Sequence, residues 1–158
     1  MTSSFTLSDT INTLVAVFEK HKTERVCVIS TTCCGKSTIL REIPYCVDMD
    51  EIAFLNITEE EAAFINQTPW TKEIGEKVDE LTYKNARIQP GSPMFGTVIV
   101  DCDVVVYLDI SDELLENHCK KRGVNYLDAK NMQKAINEDW NNHKLKKGKV
   151  FYYTAMAE

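Results

Sequence analysis

Long hydrophobic runs are missing from this 158-residue chain. The longest, Val26–Ile29 and Val104–Leu108, fall far short of the roughly 20 residues a membrane-spanning helix needs. The opening Met1-Thr2-Ser3-Ser4-Phe5 lacks a basic start followed by an apolar stretch, so no secretory signal is expected. No repeat, low-complexity tract or Gly/Ser linker interrupts residues 1–158, which predicts a single domain. Basic charge is in deficit: 18 Lys and Arg face 24 Asp and Glu, for a net charge of −6. That balance argues against nucleic-acid or anionic-membrane binding and leaves room for a local pocket for a small anion. The six cysteines contain no C-x-x-C pair, and the three histidines are not spaced with them as zinc ligands. Several cysteines lie in apolar, strand-like runs, so buried free thiols in a reducing, cytoplasmic setting are expected.

What is present suffices for a real core, with 44% apolar and 27% charged residues. Ile11, Leu14, Val15 and Phe18 recur at helical spacing over residues 8–22, with Ser8 as the expected N-cap. Val26–Ser30 is an apolar run ending in small polar residues and reads as a buried strand. The next helix opens near Lys36-Ser37 and stops at Pro44, and Cys46-Val47 is a short strand delivering Asp48 and Asp50. Thr58-Glu59-Glu60-Glu61 is a capping box. Thr68-Pro69 predicts another helix start, with Trp70, Ile74, Val78 and Leu81 as its stripe. Ala86–Gln89, closed by Pro90-Gly91, is the expected third strand, and Val104–Leu108 the fourth. Ser111 caps a helix that ends in Lys120-Lys121-Arg122 before Gly123. A further helix covers about Asp128–Lys146, and Val150–Tyr153 is the last strand. Strands alternating with helices predict a parallel, layered α/β sheet.

The stretch Ser30-Thr31-Thr32-Cys33-Cys34-Gly35-Lys36-Ser37-Thr38 follows an apolar strand and opens a helix, the setting of a phosphate-binding P-loop. In such a loop the backbone N–H groups of Thr32, Cys33, Cys34, Gly35, Lys36, Ser37 and Thr38 wrap a polyphosphate. The helix N-terminus adds positive potential. Lys36 reaches the β- and γ-phosphates, and the Ser37 hydroxyl ligates Mg²⁺. Ser30 stands where the motif has glycine, and the alternative reading is a plain strand-to-helix turn with a solvated Lys36. Cys33 and Cys34 sit where a helix N-terminus lowers a thiol's pKa, though as loop fillers they need no further role.

With this loop, the chain resembles the small P-loop kinases, the nucleoside-monophosphate and shikimate kinase group. Asp48-Met49-Asp50-Glu51 is similar to the Asp-x-Asp stretch of shikimate-type kinases. The resemblance implies a metal-side role for Asp48 and an acceptor-orienting or general-base role for Asp50; a solvated acidic turn is the other reading. Gly96-Thr97, the run to Ile110-Ser111 and the following basic helix end resemble the corresponding stretch of cytidylate kinases. That likeness implies that Arg122 closes over the transferring phosphates, the other reading being dipole compensation at a helix C-terminus. The likeness spans most of residues 25–153, with departures. Ser92-Pro93-Met94-Phe95 stands where cytidylate kinases carry an arginine and an aspartate, and no Gly-Gly-Gly run of shikimate kinases is present. The acceptor is therefore expected to be neither cytidylate nor shikimate. No closing helix follows the last strand, and the extra N-terminal helix is expected to take over part of its packing.

Thr97-Val98-Ile99-Val100-Asp101 mimics an apolar strand ending in a metal-binding aspartate. Only Cys102-Asp103 separates it from the next run, too few residues for a crossover between parallel strands. Residues 97–100 are therefore expected to be a loop, with Asp48 rather than Asp101 as the metal carboxylate. Trp70, Phe64 and Tyr83 are candidates to line an acceptor pocket or, as stripe aromatics, to sit in the core. Arg41 and Arg87 are phosphate ligands or merely solvated, and His21, His118 and His143 show no nucleophile or carboxylate partner.

The resemblance implies a three-layer α/β P-loop NTPase fold whose parallel five-stranded sheet has the order 2-3-1-4-5 and is flanked by helices. It implies phosphoryl transfer from ATP, with Mg²⁺, to a small-molecule acceptor, a nucleoside or nucleotide, through Lys36, Asp50 and Arg122. One rival is a nucleotide-binding regulatory or assembly protein without transfer activity. Another is a different small-molecule kinase, shikimate- or gluconate-type, or a polynucleotide-end kinase.

Overall fold

Val26-Cys27-Val28-Ile29 consists of β-branched and small apolar residues, and all four are buried, which makes this segment the central strand β1 (Val26–Ile29). The structure is a computed structural model that describes residues 6–55, 57–69, 71–145 and 148–157, and of Asp50 the backbone alone. Around β1 the chain runs through α1 (Leu7–Lys20), α2 (Lys36–Glu42), β2 (Val47–Asp48), α3 (Met49–Ala53), α4 (Glu59–Ile65) and α5 (Lys72–Asn85). It continues through β3 (Met94–Gly96), β4 (Val104–Ile110), α6 (Asp112–Arg122), α7 (Tyr126–His143) and β5 (Val150–Met156). The sheet is parallel throughout, in the expected order β2-β3-β1-β4-β5.

Successive β1 residues serve opposite faces, as strand geometry requires. Cys27 and Ile29 join Met94, Val105 and Tyr107 beneath Ile136 and Trp140 of α7. Val26 and Val28 join Phe95, Val104 and Val106 beneath Leu14 and Phe18 of α1 and Ile39 of α2. Helices thus cover both faces, and each fully buried Leu, Ile or Phe stabilises this arrangement by about 1.5–3 kcal/mol.

Local chemistry sets the element ends, and several differ from the sequence expectation. The N-cap of α1 is Thr6, not Ser8: Thr6 Oγ1 accepts the Asp9 amide at 3.1 Å and Asp9 Oδ2 accepts the Thr6 amide at 3.3 Å. Ser8 falls in the first turn. Thr58 and Glu61 form the expected capping box. α5 is capped by Thr71, whose Oγ1 takes the Ile74 amide, so Pro69 precedes the helix; Trp70 lies outside the described residues. α7 starts two residues early, at the Asn125 cap, and its expected end, Lys146, lies outside the described residues. β5 runs on to Met156 because it pairs with β4 along its whole length.

The main correction concerns the third strand. Residues 86–89 do not join the sheet; a Gln89–Ser92 bridge closes the Pro90-Gly91 turn and the chain reverses. Met94-Phe95-Gly96 then enters between β1 and β2 with all three residues buried. Glycine is required at its end. A Cβ on Gly96 would lie 2.7 Å from Met49 Cβ, 2.8 Å from Cε and against Sδ. Residues 97–100 form an irregular, buried link to β4.

Candidate functional site

β1 is the middle strand, and its C-terminal end delivers residues 30–35 to the N-terminus of α2. Two residues there adopt the left-handed region, Cys33 (φ 63°) and Gly35 (φ 92°), which turns successive amides inward. The left-handed backbone at Cys33 costs about 1–2 kcal/mol, so the surroundings must hold it. They do so from several elements. The Ser30 amide donates to Gly96 O at 2.9 Å, Thr31 Oγ1 to Ala129 O at 2.8 Å, and the Thr32 amide to Met132 Sδ at 3.4 Å. His118 Nδ1 lies 2.7 Å from Cys33 O, which requires the Nδ1–H tautomer. Among the described residues, the amides of Cys33, Gly35 and Ser37 donate no hydrogen bond.

Ser30, the departure from the motif, has a local partner: the Cys34 thiol donates to its Oγ at 3.1 Å and ties the loop across its base. Burial pushes the Cys34 pKa up, outweighing the Ser30 hydroxyl and the Lys36 charge. Burial, reinforced by the neighbouring Cys33 thiol, raises Cys119 to about 11. At Cys34, the expected lowering by the helix N-terminus thus gives way to desolvation. All six cysteines are free thiols.

Lys36 opens α2 and Asp48 closes β2, and their side chains meet with Nζ 3.2 Å from Oδ1, both largely buried. Ser37 is exposed in the same first turn, and Thr38 Oγ1 accepts Arg41 Nη2 at 3.3 Å. One hydroxyl and one carboxylate suit Mg²⁺, which takes few protein oxygens and completes its shell with phosphate and water. The Asp50 side chain lies outside the described residues. Arg122 is exposed in the last turn of α6, one turn beyond Cys119, which packs with Cys33, Leu115 and Met156. Its guanidinium makes no hydrogen bond or ion pair among the described residues.

Asp101 is elsewhere. It precedes β4 at the opposite end of the sheet, with Oδ2 2.8 Å from Arg25 Nη1; Asp103 Oδ2 takes the Arg25 amide at 2.9 Å. Arg25 holds both carboxyls below their usual range. The histidines also differ from expectation. His21 sits between Glu24 Oε1 and Tyr152 OH, each at 2.8 Å, and His143 Nδ1 lies 3.1 Å from Asp139 Oδ1. Arg87 caps the end of α5 through the carbonyls of Tyr83 and Ala86.

Beside the loop a cleft of about 860 Å³ opens between α5 and α7, with Phe54, Ile65, Val98, Met132 and Ile136 among its walls. Glu76, Asp79, Glu138 and Asp139 also line it. Desolvation by burial, with smaller contributions from the charges of Asp139 and Glu76, pushes the Asp79 pKa up to about 6. Phe64 packs instead with Ile65, Ile74 and Leu81, and Tyr83 is largely exposed. Sequence reasoning missed this acidic cleft, and with it His118 and Met132, because each contact joins residues far apart in the chain. Compared with known proteins, the chain matches no family model, and no curated sequence matches it.

Proposed function

We propose that this chain is a P-loop kinase that binds the phosphates of ATP in the 30–38 loop and transfers the γ-phosphoryl group to a small-molecule acceptor in the adjoining cleft. The observation that carries the reading is the loop itself. It joins the central strand to a helix, turns its amides inward at Cys33 and Gly35, and leaves those of Cys33, Gly35 and Ser37 without partners among the described residues. Such a nest at a helix N-terminus is an anion site by its chemistry.

Lys36 would exchange Asp48 for the β- and γ-phosphates. Ser37 and Asp48 would hold Mg²⁺, which supplies charge neutralisation at the transferring group. Asp50 would orient the acceptor hydroxyl, and Arg122 would swing over the phosphates from the end of α6. Catalysis of this type is positioning and electrostatics, so these groups need placement rather than unusual reactivity. A nucleotide-binding protein without transfer activity is the second reading. It is favoured by β3, which ends in Gly96-Thr97 with no carboxylate.

A thermal melt of wild type and Lys36→Ala, with and without Mg·ATP, tests the binding step. Saturation at 100 times the dissociation constant stabilises by about 2.7 kcal/mol, an upward shift of roughly 5–11 °C for this size. The shift should shrink or vanish in a folded Lys36→Ala. No shift in wild type with either ATP or GTP would sink the proposal, and binding without transfer to any acceptor would favour the second reading.

A further inference from the structure

We propose that the cleft accepts a hydroxyl compound bearing a protonated amine, an amino sugar or amino alcohol, in preference to a phosphorylated acceptor. This inference rests on the kinase reading above and narrows its substrate class. The cavity, at about 860 Å³, is of the size that holds a small molecule. It reaches the loop through residues that contact both. Met132, in its wall, takes the Thr32 amide, and Thr97 and Val98 continue from Gly96, whose carbonyl holds Ser30.

Its walls combine an apolar floor with charge of one sign. Among the described lining residues, Glu76 and Asp79 on α5 and Glu138 and Asp139 on α7 stand against a single ammonium, Lys72. Asp139 is paired with His143, whereas Glu76, Asp79 and Glu138 form no hydrogen bond or ion pair among the described residues. Two helices therefore present like charge to one open space that a cation would neutralise. A phosphate monoester, close to −2 at neutral pH, would add to the repulsion. An ammonium relieves it, while the ligand's carbon framework covers the apolar floor and the lining amides of Asn131 and Asn142 suit its hydroxyls. In the transfer, the bond from the β,γ-bridging oxygen to the γ-phosphorus breaks and a bond to the acceptor hydroxyl oxygen forms. ADP leaves, and the hydroxyl proton passes to water.

The test measures binding to the full chain by calorimetry. The amine probes are glucosamine, 2-amino-1,3-propanediol and kanamycin, compared with glucose, glucose 6-phosphate and AMP. At least one amine should bind at least about tenfold tighter than any of these non-amine compounds. In Glu76→Gln/Asp79→Asn that affinity should fall about tenfold while the Mg·ATP melting shift stays at its wild-type value, which shows that the variant folds. Tighter binding of glucose 6-phosphate or AMP, amine affinity indifferent to the double substitution, or no binding by any of the three amines would each overturn the inference. A retained Mg·ATP shift with no amine binding overturns this inference alone. Loss of that shift in wild type overturns the kinase reading beneath it.

Discussion

Gly96 couples the sheet to the candidate site through one steric contact, and Gly96→Ala puts that contact to the test. The added methyl would sit 2.7 Å from Met49 Cβ and 2.8 Å from Cε, where carbon atoms normally stand at about 3.5–4.0 Å. Cβ cannot swing aside as a side-chain tip can, so the turn from β2 into α3 must move by roughly an ångström. Overpacking of this kind costs about 1–3 kcal/mol, a fall in Tm of roughly 2–12 °C. The same turn carries Asp48, so the Mg·ATP shift should weaken as well. Urea unfolding followed by circular dichroism gives the stability, and a cycle with Met49→Ala isolates the contact. Met49→Ala alone opens a cavity and costs about 2–5 kcal/mol, but it also removes Sδ and Cε, two of the three atoms that clash, and leaves Cβ. The double variant should therefore be more stable than the sum of the two single costs predicts. Simple additivity, or a Gly96→Ala protein as stable as wild type, would refute the reasoning.

Two further predictions concern pH. Asp79 has its folded-state pKa raised from 3.8 to about 6 by burial and by Asp139 and Glu76, with Lys72 lining the same cleft and His143 paired to Asp139. A raised carboxyl destabilises the fold above about pH 6, and the penalty fades as pH falls towards 4. The full shift corresponds to about 3 kcal/mol, which solvent screening of this exposed group reduces to about 1 kcal/mol or less. Asp79→Asn should thus melt a few degrees above wild type at pH 8 and level with it at pH 4; an equal gain at both would exclude the charge origin. Arg25 acts in the opposite sense. Asp101 and Asp103 have lowered pKa values, so their pairing stabilises at neutral pH and is lost as pH falls below the ordinary carboxylate range. Arg25→Ala should lower Tm at pH 7 and make little difference near pH 2.5, as acid melts of both proteins would show.

The strands and helices that the sequence made legible are those whose signal is local. β1 and β4 are unbroken apolar runs, and the Thr58 and Ser111 caps lie within a few residues of the amides they bind. β3 was invisible because three residues after a proline carry no periodicity, and what places them is the room left by Gly96 beside Met49, 47 positions away. Two histidine pairings were readable in principle, since Glu24 and Asp139 stand three and four residues from their partners. His118 against Cys33 was not, since the two stand 85 positions apart. The loop, Lys36 and Asp48 could be picked out by type and spacing. The acidic cleft could not, because it arises only when α5 and α7, far apart in the chain, come to face each other.

The sheet that carries this site is uneven. β2 contributes two residues and β3 three, whereas β4 and β5 run side by side for seven. Half of the molecule is thus closed by a long zipper and the other half by a short clasp, reinforced by the brief helices α3 and α4. Free energies of local opening follow such differences, so the α3–α5 side is the soft half and can shift while the β4–β5 side stays intact. Asp48 is the tip of the shortest strand on the soft side, and Lys36 opens α2 after the loop that follows the central strand. Their ion pair therefore spans the boundary between the lightly paired half of the sheet and the firmly paired one, so an anion bound at Lys36 would be felt on both sides.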